Sequence, residues 1–274
     1  LKAHYNAEFM AALLTSDQGN TDRQAIEVAD AMALGIPVLP PDINESEEDF
    51  TVVSTKDSTP GIRFGLSAIK NVGHNAITGI ISERNVRGTY KDLFDIFRRV
   101  NVKDFNKKSV ESLARAGAFD GLGERNHVLA NTDALLEFNR ALHRKTDAGQ
   151  KNLFATNASE TTLPEARITL SQVAPSSQEE RLGWEKELLG LYVSEHPLHA
   201  YRSIIERIAS PISAVLGGAD QSKARIAGVI SRVKKIITKS GQPMLFVVVE
   251  DLSHNMEVLV FPKMLAQNAE VWAD

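Results

Sequence analysis

The chain has 274 residues, 43% of them hydrophobic, no cysteine, and a formal net charge of −4 at pH 7. That length holds two or three compact units with sizeable cores, and the missing cysteine excludes a disulfide framework and thiolate metal sites. No apolar run approaches the roughly 18 residues that a membrane helix needs, and no basic-plus-apolar leader opens the chain, so a soluble cytoplasmic protein without membrane partners is expected.

In chain order, Leu1 to Leu14 and Thr21 to Leu34 read as two amphipathic helices, the second closed by Gly35 ahead of Pro37. The segment IPVLPPDINES then leaves as an extended, proline-stiffened loop. Its acids and those just after it, Glu45, Glu47, Glu48 and Asp49, have no nucleophile or phosphate cradle nearby and read as a solvated acidic loop.

The stretch Ile62 to Ile81, IRFGLSAIKNVGHNAITGII, carries the most information. It reads as two short helices meeting at a tight turn, a helix-hairpin-helix. The first helix is expected over about Leu66 to Lys70 and the turn at Asn71-Val72-Gly73, with Ala76, Ile77, Ile80 and Ile81 on one face of the second. Gly73 is expected to supply a positive φ, which Asn71 also tolerates. The first N–H groups of the second helix then have no partner inside it and point outward at its positive end, where a phosphate oxygen fits. Candidate DNA contacts here are Lys70, Asn71, Val72, Gly73 and His74; an ordinary helical corner with a glycine cap has the same spacing.

A second, weaker copy follows. Lys107 to Ala116 reads as a helix, Gly117 and Gly121 to Gly123 break it, and Arg125 to Leu142 resumes it, with Ala116-Gly117-Ala118 as the turn. Paired turns suit a duplex, one for the phosphates of each strand. Between Glu83 and Gly117 nine Lys/Arg stand against five acids, a local positive excess inside an acidic chain. Lys107, Lys108, Ala116 and Gly117 therefore join the candidate DNA contacts.

Gln150 to Gln178, rich in Ser, Thr, Ala and Pro, reads as a flexible linker. One island, Gln150-Lys151-Asn152-Leu153-Phe154, places a bulky apolar pair where there is no core to join. It is either a chance run or a docking peptide, with the Gln150 amide at a pocket rim and Leu153 and Phe154 inside. Glu179 to Ala209 is helical in pattern, broken by Pro197 after His196. His196 and His199 flank that proline and read as structural, so no metal site and no catalytic residue is expected.

From Lys223 the pattern changes to strands: ARIAGVISRVKKIITK bent at Gly228, a turn at Ser240-Gly241, MLFVVVED, a turn at Ser253-His254-Asn255, MEVLVF, and a helix near Lys263. An OB-fold barrel begins this way, but only three of its five strands are present, so the chain is expected to stop inside a domain. Gln221 to Gly241 holds six basic residues and no acid. Arg232, Lys234, Lys235 and Lys239, with Phe246 as a stacking face, are candidate contacts to single-stranded nucleic acid. A basic hairpin on the surface of any barrel would look the same.

Six collinear stretches carry a resemblance: KAHYNAEFMAALLTSD from Lys2, GIPVLPPDIN from Gly35, IRFGLSAIKNVG from Ile62, LARAGAFDGLG from Leu113, QKNLF from Gln150 and WEKELLGLYVSEHPL from Trp184. With them the chain resembles the C-terminal portion of the C family of bacterial replicative DNA polymerases, the polymerase III alpha subunits. The resemblance implies a multidomain, mainly α protein with a β part. Its order would be the end of a helical fingers domain (1–60), a tandem helix-hairpin-helix domain (61–148), a linker with a clamp-binding motif (149–178), a helical connector (179–222) and an incomplete OB-fold domain (223–274).

The function implied is DNA-directed DNA synthesis by the full-length enzyme with magnesium. This part would supply duplex grip, attachment to the beta sliding clamp through Gln150, Leu153 and Phe154, and contact with the single-stranded template. Other subunits of the polymerase III holoenzyme would be further partners. The palm aspartates are expected upstream of Leu1, which would leave this portion without cofactor and inactive alone. Two departures stand out: the family usually has proline at Asn6 and glycine at Asn71. A non-enzymatic, clamp-tethered DNA-binding adaptor and the error-prone paralogue of the same family are the competing readings.

Overall fold

The structure, a computed structural model, describes residues 4–55, 57–101, 105–149, 170–219, 222–252 and 254–268. The chain divides into two units, Leu1–Ser194 and Glu195–Asp274.

In the first unit, α1 (Asn6–Ser16) buries Ala7, Met10, Ala11 and Leu14, the spacing that puts one helical stripe on a core. Helix α2 (Thr21–Ala33) starts on Asn20, whose side chain accepts the Arg23 N–H, and packs against α1. The loop expected after it contains one short strand, β1 (Val38–Leu39), which joins β2 (Thr51–Ser54) and β3 (Pro60–Arg63) in a small sheet of order β1-β3-β2. Strand β3 runs parallel to β1 and antiparallel to β2. Strands of two and four residues are too short to show alternation, and the prolines around β1 mask it further.

The acidic loop between β1 and β2 stays solvent-facing as expected, with Glu45, Glu47 and Asp49 exposed, but three of its acids have partners. Glu45 pairs with Arg63, Glu47 with Arg84 at 2.7 Å, and Glu48 with His74 at 2.8 Å. Glu45 thus ties the loop to β3, while Glu47 and Glu48 fasten it to the helix that follows. Arg84, only 6% exposed, also donates to the carbonyls of Ile43 and Ser46.

A single 3-10 turn, Leu66–Ala68, leads into α3 (His74–Arg87), followed by α4 (Leu93–Arg99), α5 (Lys107–Arg115) and the long α6 (Arg125–Gly149). One apolar core extends from Ala7 to Val193 and includes fully buried Phe64, Phe97, Phe105 and Phe119, so packing is continuous across residue 60. After α6 the next described residues run back along it: the Ser171 N–H donates to Asn131 Oδ1 at 2.7 Å and Asn131 Nδ2 returns a bond to the Ser171 carbonyl at 3.0 Å. Helix α7 (Gln178–Leu189) opens with a reciprocal capping box between Ser177 and Glu180 and stops at Gly190, where φ is +81°. The helical run expected to Ala209 is therefore interrupted from Gly190, before Pro197, and resumes only with a 3-10 turn at His199–Tyr201 and the helix after it.

The second unit holds α8 (Arg202–Ile208), α9 (Ile212–Leu216), strands β4 (Val229–Ile237), β5 (Pro243–Glu250) and β6 (Asn255–Val260), and α10 (Pro262–Gln267). The three strands form an antiparallel sheet in the order β4-β5-β6. Gly241, with φ +77°, makes the expected turn. Gly228 lies so close to Val249 and Glu250 that any side chain would collide, and the register slips by one residue between Ile230 and Arg232. Its core is small: Leu245, Val247 and Val260, with Val249 and Leu265 packed against them.

Candidate nucleic-acid interface

The first hairpin turn is built as expected in outline and differently in detail. Asn71 takes the left-handed conformation at φ +67°, whereas Gly73 is extended at φ −80°, ψ 150° and serves as N-cap of α3. The reason lies far along the chain. Lys70 donates its N–H to the Leu188 carbonyl at 3.1 Å and its Nζ to the Glu187 carbonyl at 2.9 Å, which pins the residue before the turn to the C-terminal end of α7. The chain must reverse at Asn71, the first residue free to do so.

Gly73 and His74 are exposed, and a Cβ placed on Gly73 would meet nothing within 4 Å. No side chain caps α3. The start of a 14-residue helix is thus open to an incoming anion. Val72 is half-buried against the core. Ser109 Oγ donates to the Asn71 carbonyl at 3.3 Å, which sets the first turn of α5, with exposed Lys107 and Lys108, beside the hairpin. Lys107 is engaged by Asp133 at 2.7 Å; Lys108 makes no ion pair among the described residues.

The second turn is not an anion seat, and the expectation for it is corrected. Gly117 does take φ +86°, but Ala116, Gly117 and Ala118 are all buried. Their N–H groups are spent on the carbonyls of Ser112, Ala114 and Leu113, closing the end of α5. What Gly117 admits is Arg125, whose guanidinium lies where a Cβ would stand. Arg125 is 3% exposed and reaches Asp120 at 2.8 Å, the Arg115 carbonyl at 3.0 Å and Glu185 at 3.3 Å.

At the start of α6 the anion position is already filled from within. Glu124 accepts the His127 N–H at 3.1 Å, the Ser176 N–H at 2.7 Å and the Ser176 hydroxyl at 2.5 Å. Burial works to raise this carboxyl, but the bonds from Ser176, His127 and Asn126 prevail and hold it down to about 2. Glu27 on α2 is the opposite case: burial, then the neighbouring Asp17, push it up to about 7 from 4.5.

The signs differ accordingly. Glu27 contributes a penalty absent below about pH 4.5 that grows towards pH 7, while the contribution of Glu124 is complete above about pH 4.5 and fades towards pH 2. In urea melts across pH, Glu27→Gln is expected to flatten the decline between about 4.5 and 7, and Glu124→Gln the acid limb below it. Unchanged slopes in both variants would refute the assignment.

In the second unit the register sorts the predicted cations. Lys234 pairs with Phe246 and Arg232 with Val248, so these two cations share the face of Phe246. Lys235 pairs with Leu245 and therefore stands on the other face, that of the small core. Lys239 is in the turn after β4. Gln150, Leu153 and Phe154 lie outside the described residues. Among the described residues no three His, Asp or Glu side chains cluster as a metal would need, and His196 Nδ1 accepts the Leu198 N–H at 3.2 Å.

A family model described as a helix-hairpin-helix motif matches residues 35–129, from β1 to the first turn of α6. DNA polymerase III subunit alpha of Saccharopolyspora erythraea is 38% identical over 100% of this chain and 23% of its own length. This chain is homologous to the C-terminal part of DNA polymerase III subunit alpha. The Thermus aquaticus polymerase III alpha subunit is 38% identical over 95% of the chain, and that of Mycobacterium tuberculosis (strain H37Rv) 36% over 96%. The chain spans less than a quarter of the length of these polymerase III alpha subunits, 21% to 23%.

Proposed function

We propose that this chain is the duplex-holding and tethering part of a DNA-directed DNA polymerase of the polymerase III alpha kind. The observation that carries the reading is the exposed, uncapped start of α3 at Gly73, flanked by Lys107 and Lys108, inside the stretch matched by the helix-hairpin-helix model. A backbone phosphate approaches the free N–H groups there, while Asn71 and Lys70 hold the turn in shape. Ala116 and Gly117 support the neighbouring packing rather than a second phosphate.

In the same reading the β4–β6 sheet is part of an OB-fold domain, and Arg232, Lys234 and Phe246 meet single-stranded template on one face. The peptide at Gln150, Leu153 and Phe154 attaches the protein to the beta sliding clamp, and the remaining polymerase III subunits assemble around it in the cytoplasm. Nucleotide addition and its magnesium belong to palm carboxylates that lie outside this chain in the family, and no residue here is assigned to them.

The test is duplex binding by fluorescence anisotropy over a salt series. Affinity should fall with salt at about 0.9 log unit per phosphate neutralised and be indifferent to sequence. Because Gly73 is extended and open, Gly73→Val should leave the melting temperature unchanged yet weaken duplex binding about tenfold, about 1.4 kcal/mol, by standing in the path of the phosphate. Equal affinity of the variant and wild type throughout would remove the hairpin from the interface.

A further inference from the structure

At the other end of α3 lies a concavity of about 440 Å³ between the C-terminal end of that helix and α4, lined by Arg87, Lys91, Arg98 and Arg99 with Asp92 and Asp95. The two carboxylates are committed. Asp92 Oδ1 accepts the Asp95 N–H at 2.8 Å, and Asp95 Oδ2 accepts the Lys91 N–H and Arg99 Nη1, both at 3.2 Å.

Arg99 is also committed, and in a useful way. Its Nη2 donates to the carbonyls of Glu83 at 2.7 Å and Gly88 at 2.8 Å, so its charge offsets the negative end of α3 that would otherwise repel an anion. Arg87 keeps only a loose pair with Glu83 at 3.5 Å. Lys91 and Arg98 are exposed, and their side chains have no hydrogen bond or ion pair among the described residues. Four cations thus surround a hollow whose acids are already satisfied, and two of them are free to close on a ligand. Phe94 gives the wall an apolar patch.

We propose that this hollow is a second phosphate seat, in which Lys91 and Arg98, aided by Arg87, take a backbone phosphate of the same duplex that the hairpin turn holds. The inference rests on the hairpin reading above. The 14 residues of α3 separate the two seats by about 20 Å, less than one helical repeat of about 34 Å, so one straight helix could meet phosphates on the two strands bordering a groove of a single duplex, one at each end. A bidentate Arg beside a flexible Lys suits the two free oxygens of a phosphodiester.

The experiment uses the 274-residue chain and its Lys91→Ser/Arg98→Ser, Arg98→Lys and Gly73→Val variants, with duplex anisotropy over a salt series and an NMR titration with tripolyphosphate. The double variant should bind duplex about tenfold more weakly at low salt, lose about one unit of log–log salt slope, and melt as wild type; Arg98→Lys should keep the slope. If the double variant keeps both affinity and slope while Gly73→Val loses affinity, the second seat is overturned and the hairpin stands. If wild type shows no salt-dependent duplex binding, the hairpin reading fails and the seat falls with it. Tripolyphosphate shifts at Phe94 and Thr89 with an unchanged duplex slope would make the hollow a site for free anions and overturn its role on DNA.

Discussion

Glu185→Ala is expected to destabilise the Leu1–Ser194 unit by about 3–5 kcal/mol, lowering its melting temperature by roughly 6–20 °C. Glu185 is fully buried on α7 and is the partner of buried Arg125 at 3.3 Å. Its second oxygen accepts the N–H groups of Val193 and Ser194 at 3.0 Å and the Ser194 hydroxyl at 3.1 Å. Alanine would leave the Glu185-facing edge of a buried guanidinium, two amides and the Ser194 hydroxyl without their acceptor in a dry site, and the cost of those orphaned groups outweighs any gain from removing a charge.

Glu185→Gln keeps an acceptor for the amides, and Arg125 keeps Asp120, so this variant should cost distinctly less. The effect should also reach function. Lys70 hangs on the last carbonyls of α7, so loosening that helix releases the residue that shapes the Asn71 turn, and duplex affinity should fall with stability. A Glu185→Ala protein within about 0.5 kcal/mol of wild type in urea unfolding would show that the bonds of Glu185 to Arg125, Val193 and Ser194 are not what holds α7 in place.

What the sequence makes legible is what short-range rules govern. The strands β4, β5 and β6 show β-branched runs punctuated by Gly241, and α1 and α3 show apolar residues at helical spacing; these features depend on neighbours a few residues away. The turn Asn71-Val72-Gly73 is visible for the same reason. Which of its residues takes the positive φ is not visible, because the choice is set by Leu188 and Glu187, more than a hundred residues on.

The two hairpins illustrate the limit more sharply. Ala116-Gly117-Ala118 presents the same small-Gly-small pattern as a phosphate turn, yet the space over its glycine is filled by Arg125, and the start of the next helix by Glu124. Nothing local distinguishes a glycine that admits a ligand from one that admits the protein's own guanidinium. The acids Glu45, Glu47 and Glu48 are solvent-facing as they read, but their pairing with Arg63, Arg84 and His74 is not visible because those partners lie 18 to 37 residues on. Lys91 and Arg98 are the converse: they belong to a basic run that reads as a positive excess suited to DNA without singling either out, and only the folding of α3 against α4 makes them the rim of a hollow.

Leu153→Ala with Phe154→Ala is expected to abolish attachment to the sliding clamp while leaving duplex affinity and melting behaviour unchanged. If the two side chains enter an apolar pocket they supply about 1.5–3 kcal/mol each, so their joint loss should weaken binding about a hundredfold or more. On the same reading Gln150 would orient the peptide through its amide and should matter less. A short peptide must be ordered on binding, so its own affinity should be only about micromolar, near −8 kcal/mol. The structure bears on why that suffices. Residues on both sides of the peptide belong to one unit: α6 ends at Gly149, and Ser171 and Ser176 are bonded back to Asn131 and Glu124 on or beside α6. On the proposed reading, a clamp caught by the peptide would be tethered to that unit by chain on two sides, and the second contact would become intramolecular. Full-length enzyme carrying the double substitution should make shorter products when clamp is present and products of ordinary length without it. Undiminished clamp binding by the double variant in a calorimetric titration would reduce QKNLF to a chance run.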